Sequence, residues 1–449
     1  MYNVYGCVQF RLGQTYYLCF LFKNQAMNPP IETRITSETG QLEAVLMHRP
    51  GPEVENMTPG NAERALYNDI LNLSIATTEY DQLQGVLEKV SRVLEISDLL
   101  SDILEIQDVR TTLLHDICCN EQICSAAEWL SFLPSGELAR QLIEGVPLEK
   151  DNLTRYLSEE RYLLRPLHNL FFTRDAAMGY NQHMFIGKMA NRVRERESLI
   201  VEAILRHHPY IDTTSLNPTL ALPTPGFNPP VTLEGGDFQV VREDVLLIGT
   251  GLRTSTSGID YVISKLCSET KEARHIIVQE LPAFPESFIH LDMVFTVLDR
   301  DACMVYAPIV YELNRYRTIH VELDNGRVKR ISQEENIPQA LKKLGISLQA
   351  VSCGGQADTW IQEREQWHSG ANFFSFAPGK IIGYERNVHT LNELSRHGFE
   401  VISATEVMAG VKHPGEYNRC VVTIEGSELA RGGGGARCMT LPLRRGLLS

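Results

Sequence analysis

From about Gln41 onward the sequence returns to one arrangement: two apolar runs joined by a short polar turn, then an amphipathic helical stretch, then another strand-like run. Residues 170–189 carry FFTRDAAMGY and MFIGKM around Asn181-Gln182, followed by RVRERESLIVEAILRHH with an apolar stripe at Leu199, Ile200, Ala203 and Ile204. Residues 238–251 repeat the hairpin around Arg242-Glu243-Asp244, before a helix near 257–268 and the strand HIIVQEL from His275. MVFTVLDRDACMVYAPIV from Met293 turns at Asp299-Arg300-Asp301, and after a polar interval IPQALKKLG reads as a helix leading into ISLQAVSC. ANFFSFAPGKIIGYERN from Ala371 turns at Pro378-Gly379-Lys380, HTLNELSRHG reads as a helix capped by Gly398, and FEVISATEV as a strand. With the run LEAVLMHRPG, a helix near 77–93 and the returning C-terminus, the count reaches about five ββαβ units, and repeats of this kind suggest a closed α/β ring. Between about Ser97 and Arg161 the pattern changes to SDLLSDILEIQDV, AAEWLSFL and ELARQLIEGV, an inserted helical subdomain.

A ring of this size needs a large core, and 43% hydrophobic against 22% charged residues supplies one. With 42 Lys+Arg against 56 Asp+Glu and a formal charge of −14, a nucleic acid is a poor partner, because backbone neutralisation needs clustered cations. Ten cysteines are spread along the chain without a CxxC pair or a dense framework, which fits a reducing cytoplasm. The apolar run 16–22 is too short to span a bilayer and lacks a signal-cleavage pattern, so residues 1–26 read as an N-terminal extension ahead of Met27.

The segment RGGGGARCMTLPL places four glycines before Cys438, where backbone freedom permits a tight or mobile loop; the plain alternative is a tail with a buried thiol. In FIHLDMVFT, read as a strand, alternation puts His290 and Asp292 on one face, although a structural His-Asp pair explains them equally. LEGGDF sets Glu234 and Asp237 around two glycines at a hairpin entry. NLFFTRD sets Asn169, Phe172, Arg174 and Asp175 at another strand, and Arg194 and Arg253 follow at corresponding points of two repeats. Each alone could be an ordinary surface or turn residue. Together, carboxylates, a histidine and a cysteine at equivalent repeat ends suit a guanidinium-processing site, where carboxylates orient the planar cation and a thiolate attacks its carbon. A cysteine protease uses some of the same groups but leaves the several carboxylates unexplained.

At these residues the sequence resembles arginine deiminase of the guanidino-group-modifying superfamily. LEAVLMHRPG, NLFFTRD, LEGGDF, GTGLRTS, HLDMVFT, REQWHSGANFFSFAPGKIIGYERN and GGGGARCMTLPL occur in the family's order over nearly all of the chain after about Thr36. The resemblance implies a five-bladed pseudo-symmetric ββαβ propeller, the pentein fold, as one catalytic domain over 27–449 with a helical insertion at 97–161. It implies Cys438 as the nucleophile of an amidino-cysteine intermediate and His290 as general acid and base, helped by Glu234. Asp175 and Asp292 match the carboxylates that grip the guanidinium, and Asn169, Phe172, Arg194 and Arg253 match substrate-binding residues. The implied reaction turns L-arginine and water into L-citrulline and ammonia, without metal or cofactor, in a cytoplasmic homo-oligomer that binds neither nucleic acid nor membrane. Gly433 departs from the pattern: some family members carry an arginine there, and only Arg431 and Arg437 lie nearby. The alternatives are a related amidinotransferase, a methylarginine hydrolase, or a non-catalytic pentein-fold binding protein; a peptide-arginine deiminase would need a calcium-loop pattern that the sequence lacks.

Overall fold

A computed structural model describes residues 29–67, 69–218 and 230–448; the expected N-terminal extension, 1–26, lies outside the described residues. Five sheets share one plan, an antiparallel strand pair, a hairpin in four of them, one member of which is flanked by a parallel strand. In the first, Ala177–Tyr180 pairs with His183–Ile186, and Thr214–Leu216 runs parallel to the latter. The second joins Phe238–Arg242, Val245–Thr250 and Arg274–Glu280, and the third Phe295–Asp299, Ala302–Val305 and Gln349–Ser352. The fourth begins with the hairpin of Phe374–Ala377 and Lys380–Tyr384. In the fifth, the C-terminal strand Leu441–Arg445 is antiparallel to Leu42–Met47, which is parallel to Arg92–Glu95, so the two ends of the described chain meet in one sheet.

Parallel neighbours require a crossover, and helices supply it. Glu195–His207, Thr256–Glu269, Ile337–Lys343, Val388–Arg396 and Leu73–Glu88 each separate a strand of the antiparallel pair from its parallel partner. The middle strands are buried on both faces, as in Val245–Thr250, which explains why they read as unbroken apolar runs rather than as alternation.

Two features depart from the repeated plan, and the strand read over FEVISATEV is corrected, since it ends at Ser403 where the helix Ala404–Met408 begins. The polar interval of the third unit contains a hairpin, Thr318–Asp324 with Arg327–Glu334, which extends the second sheet by pairing with Arg274–Glu280. Its outer strand, RVKRISQE, is exposed over most of its length, so it has no apolar period by which to be recognised. In the fourth unit, Glu400–Ser403 does not pair with Lys380–Tyr384; the fully buried run Cys420–Ile424 lies between them, and Glu400–Ser403 takes the edge.

The segment expected to be helical holds Ile96–Ile103, Gln107–Glu121, Ala127–Leu130, Ser135–Glu144 and Leu153–Leu157, with one short strand pair, Val146–Pro147 and Tyr162–Leu164. Leu100, Ile103, Ile117 and Leu142 of this segment share a core with Ile200 and Ile204 of the first unit's helix and with Leu441 and Leu443 of the fifth sheet. Among the described residues, no helix is long and apolar enough to cross a membrane.

Candidate active site

The residues singled out in the sequence sit mainly in turns that enter the hairpins. Thr173–Ala176, Gly235–Asp237 and Leu291–Met293 are short 3-10 turns, each leading into the first strand of its unit. The strand readings for NLFFTRD and FIHLDM are therefore corrected: the strands begin only at Ala177 and Phe295. His290 caps its turn and Asp292 lies within it, so the turn, not strand alternation, aims both inward. Asp175, Asp237, Asp292, Asn372 and Cys438 each lie one to three residues before the first strand of their unit, at Ala177, Phe238, Phe295, Phe374 and Leu441.

Cys438 is buried, with Sγ 3.8 Å from Asp292 Oδ2 and accepting from Asn372 Nδ2 at 3.2 Å. The Asn372 Oδ1 in turn accepts from the amides of Arg437 at 3.0 Å and Cys438 at 3.3 Å, clamping the backbone at the thiol. Neither Asn372 nor Arg437 was picked out as a site residue. Asn372 was findable, because it holds in the fourth unit the place that Asp175 and Asp292 hold in theirs.

His290 is buried between carboxylates, with Nε2 2.9 Å from Glu234 Oε2 and Nδ1 3.7 Å from Asp175 Oδ1. Burial works against its charge, yet Asp175, the hydrogen bond to Glu234, and Asp237 raise its pKa to about 9, so the imidazole is held as a cation at neutral pH. Burial likewise opposes ionisation of Asp175 and Glu234, but His290 with its neighbouring cations holds both below the usual carboxylate range. Gly236 lets this packing exist: a Cβ there would lie 2.5 Å from His290 Cγ. Burial, then Asp292 and Asp175, push the Cys438 thiol well above its ordinary pKa, outweighing Arg437 and the Gly435 amide. The resting pair is thus a neutral thiol and an imidazolium.

Both expected clamp carboxylates rest on internal arginines. Asp175 Oδ2 accepts from Arg194 Nη1 at 2.7 Å and its Oδ1 from the Gly236 amide at 3.1 Å. Asp292 Oδ2 accepts from Arg437 Nη1 at 2.9 Å, while Asp292 Oδ1, fully buried, has no hydrogen-bond partner among the described residues. Arg194, expected at the amino-acid end of a substrate, donates to Glu197 as well, and its nitrogens are engaged inside the protein. Arg437 is held by Glu38 and the Phe238 carbonyl, which removes it as a surface cation near Gly433.

A cavity of ≈ 500 Å³ adjoins this cluster, lined among others by Ala190, Arg253, Ile289, Trp367, Arg431 and Gly433. It touches the buried groups through their neighbours: the Ala190 amide donates to Glu234 Oε1 at 2.8 Å, Arg253 Nη1 lies 4.0 Å from the same oxygen, and Ile289 precedes His290. Phe172 packs under the glycine-rich loop, where a Cβ on Gly434 would come within 2.5 Å of its ring. Asn169 Nδ2 is engaged by the Ala65 carbonyl at 2.8 Å. Asp175, Glu234 and His290 offer ligand atoms all within 4.8 Å of one another, a spacing a cation could use, although Arg194 and the imidazolium already balance these carboxylates.

The sequence profile described as arginine deiminase matches residues 63–445. The chain belongs to the arginine deiminase family. An arginine deiminase of Listeria innocua serovar 6a is 32% identical, covering 92% of this chain and 98% of its own length. One from Bacillus cereus (strain ATCC 10987 / NRS 248) is 32% identical, covering 93% and 99%. The solved structure of SxtG, an amidinotransferase of Microseira wollei in the saxitoxin biosynthetic pathway, matches with a TM-score of 0.51 at 13% identity, over 93% of this chain and 99% of that one. That likeness speaks for the fold alone, the mixed α/β pentein fold.

Proposed function

We propose that this member of the family hydrolyses L-arginine to L-citrulline and ammonia through an amidino-cysteine intermediate on Cys438. The observation that carries the reading is the buried convergence of a thiol, an imidazolium and two carboxylates, with Asp292 Oδ1 left as an acceptor. A guanidinium entering beside it supplies the donor that this oxygen lacks and a positive charge that favours the thiolate. The thiol proton passes to solvent as the cation enters, and the thiolate then adds to the guanidinium carbon. His290, already protonated, donates to the departing nitrogen; the C–N bond breaks and ammonia leaves. The now neutral imidazole takes a proton from water, hydroxide adds to the same carbon, and the C–S bond breaks to give citrulline and the thiolate. The proton shed by the new ureido group ends on ammonia as ammonium, and the thiol is restored when citrulline departs.

In this reading Glu234 holds the imidazolium, Asp175 and Asp292 grip the substrate, and Arg253, in the cavity wall, pairs with the α-carboxylate. Phe172 packs along the aliphatic chain, Asn169 positions the entrance, and Arg194 keeps Asp175 ionised. The five like sheets form the blades of a closed ring, the pseudo-symmetric propeller of the catalytic domain 27–449, with 97–161 inserted between blades. A cytoplasmic homo-oligomer working without metal or organic cofactor completes the reading.

The test is incubation of the purified protein with L-arginine, quantifying citrulline and ammonia together, with Cys438→Ser and agmatine as controls. Equal amounts of both products, lost in the variant, are expected. A new guanidino compound in the presence of an amine acceptor, or turnover that survives the substitution, refutes it.

A further inference from the structure

Next to the reacting groups lies a second, much smaller cavity of ≈ 10 Å³, walled by Glu38, Arg174, Met178, Phe238 and Arg445. Arg174 is 5% exposed, and Arg445 and the adjoining Arg437 are 1% exposed. Three buried guanidinium groups therefore meet in one region. Among the described residues two carboxylates face them, Glu38 and Asp292, and Arg437 engages both: Nε and Nη2 donate to Glu38 at 3.2 Å and Nη1 to Asp292 at 2.9 Å. The other two arginines have neutral acceptors. Arg174 donates to the Arg437 carbonyl at 3.2 Å and to Thr440 Oγ1 at 3.3 Å. Arg445 Nη1 donates to the Gly40 carbonyl at 2.8 Å, and its buried Nη2 has no hydrogen-bond partner among the described residues.

Three cations against two anions leave one uncompensated positive charge in the interior, where a charge without a counter-ion is costly. The ring of Phe374, with its centroid 5.9 Å from the Arg174 guanidinium and 5.2 Å from that of Arg445, offers attraction but no net charge. The arginines register the excess: burial first, then repulsion from Arg437, lowers the pKa of Arg174 to about 9, and burial lowers that of Arg445 to about 10. The cavity holds about one water-sized sphere, too little for a phosphate or a carboxylate.

We propose that this cavity is a binding site for one monatomic halide ion, chloride in ordinary solution, held between the guanidinium groups of Arg174 and Arg445. The negative charge of Glu38 in the cavity wall is offset by Arg437, which donates to both its oxygens, while Oε1 also accepts from the Val240 amide at 3.3 Å. The ion matches the single missing charge, and Arg445 Nη2 gains a partner. This site stands apart from the proposed reaction and does not depend on it.

The experiment is anomalous diffraction at the bromine edge from crystals of the full chain in sodium bromide, with thermal unfolding of the same protein as chloride replaces gluconate at constant ionic strength. One bromide peak between Arg174 and Arg445 is expected, together with a Tm that rises by about 1.5 °C for each tenfold step in chloride above the dissociation constant. Arg445→Met should flatten that dependence; should the variant not fold, the two wild-type measurements decide the matter alone. A water in the cavity in bromide, or bromide peaks confined to surface arginines, overturns the proposal, as does a Tm indifferent to halide.

Discussion

Replacing Glu234 by Gln should move the alkaline limit of turnover toward neutrality. The carboxylate lies 2.9 Å from His290 Nε2, both groups are buried, and Gln retains an acceptor for the Ala190 amide. What is lost is the charge of one charge-assisted hydrogen bond, about 1.5–3 kcal/mol in a buried setting, or roughly one to two pKa units. The His290 pKa of about 9 should therefore fall to roughly 7–8, because burial, which opposes its charge, is no longer outweighed to the same extent. If protonated His290 delivers the proton to ammonia, kcat/KM declines as pH rises through that pKa, and the decline moves with it. The assay is kcat/KM for L-arginine across the neutral and alkaline range for wild type and Glu234→Gln, with direct NMR titration of the His290 ring. An unmoved or raised alkaline limb, with the ring titrating lower as expected, would refute the assignment of the proton donor.

The other expectations are independent of one another. Gly236→Ala sets a methyl 2.5 Å from His290 Cγ, so the ring must shift; kcat should fall about 10- to 100-fold with the circular dichroism spectrum retained, and wild-type kcat would show that the ring position does not matter. Asn372→Asp replaces the donor 3.2 Å from Cys438 Sγ with a negative charge, so iodoacetamide labelling of Cys438, followed by peptide mass mapping, should be slower than in wild type at the same pH. His48 is buried with Glu95 at 2.8 Å and Glu53 at 3.3 Å, and although burial opposes it, these partners raise its pKa to about 10. Because that pKa is raised on folding, its stabilisation is fully present below the unfolded value of 6.5 and is lost as pH rises through about 10. The urea midpoint should thus fall over that window in wild type and less so in His48→Gln; parallel curves would exclude the contribution.

The hairpins and crossover helices were legible because their signals are local. Apolar runs around Asn181-Gln182 or Pro378-Gly379, and the stripe through Ile200 and Ile204, each follow from a few neighbouring residues. The strand assigned to His290 and Asp292 failed because the apolar residues around them are buried in a turn, and burial of a turn and of a strand leaves the same mark on the sequence. The outer strand Arg327–Glu334 failed for the opposite reason, since an exposed strand carries no apolar period, whereas its partner Thr318–Asp324 does alternate, with Ile319, Val321 and Leu323 on one face, and was legible in principle.

What the chain order determined by itself is which residue types precede the first strand of each of the five units, since side chains at such turns are set by their own few residues. Which of them meet was decided only by the tertiary structure, because the partners are far apart in the chain: Asn372 reaches Cys438, Glu234 reaches His290, and Arg437 reaches Glu38 across nearly the whole chain. The protonation states followed from the same packing. No local pattern tells that Arg194 is turned onto Asp175 and Glu197, or that Arg174 and Arg445 are buried without a carboxylate, because charge balance in an interior belongs to the assembled neighbourhood and not to any segment of it.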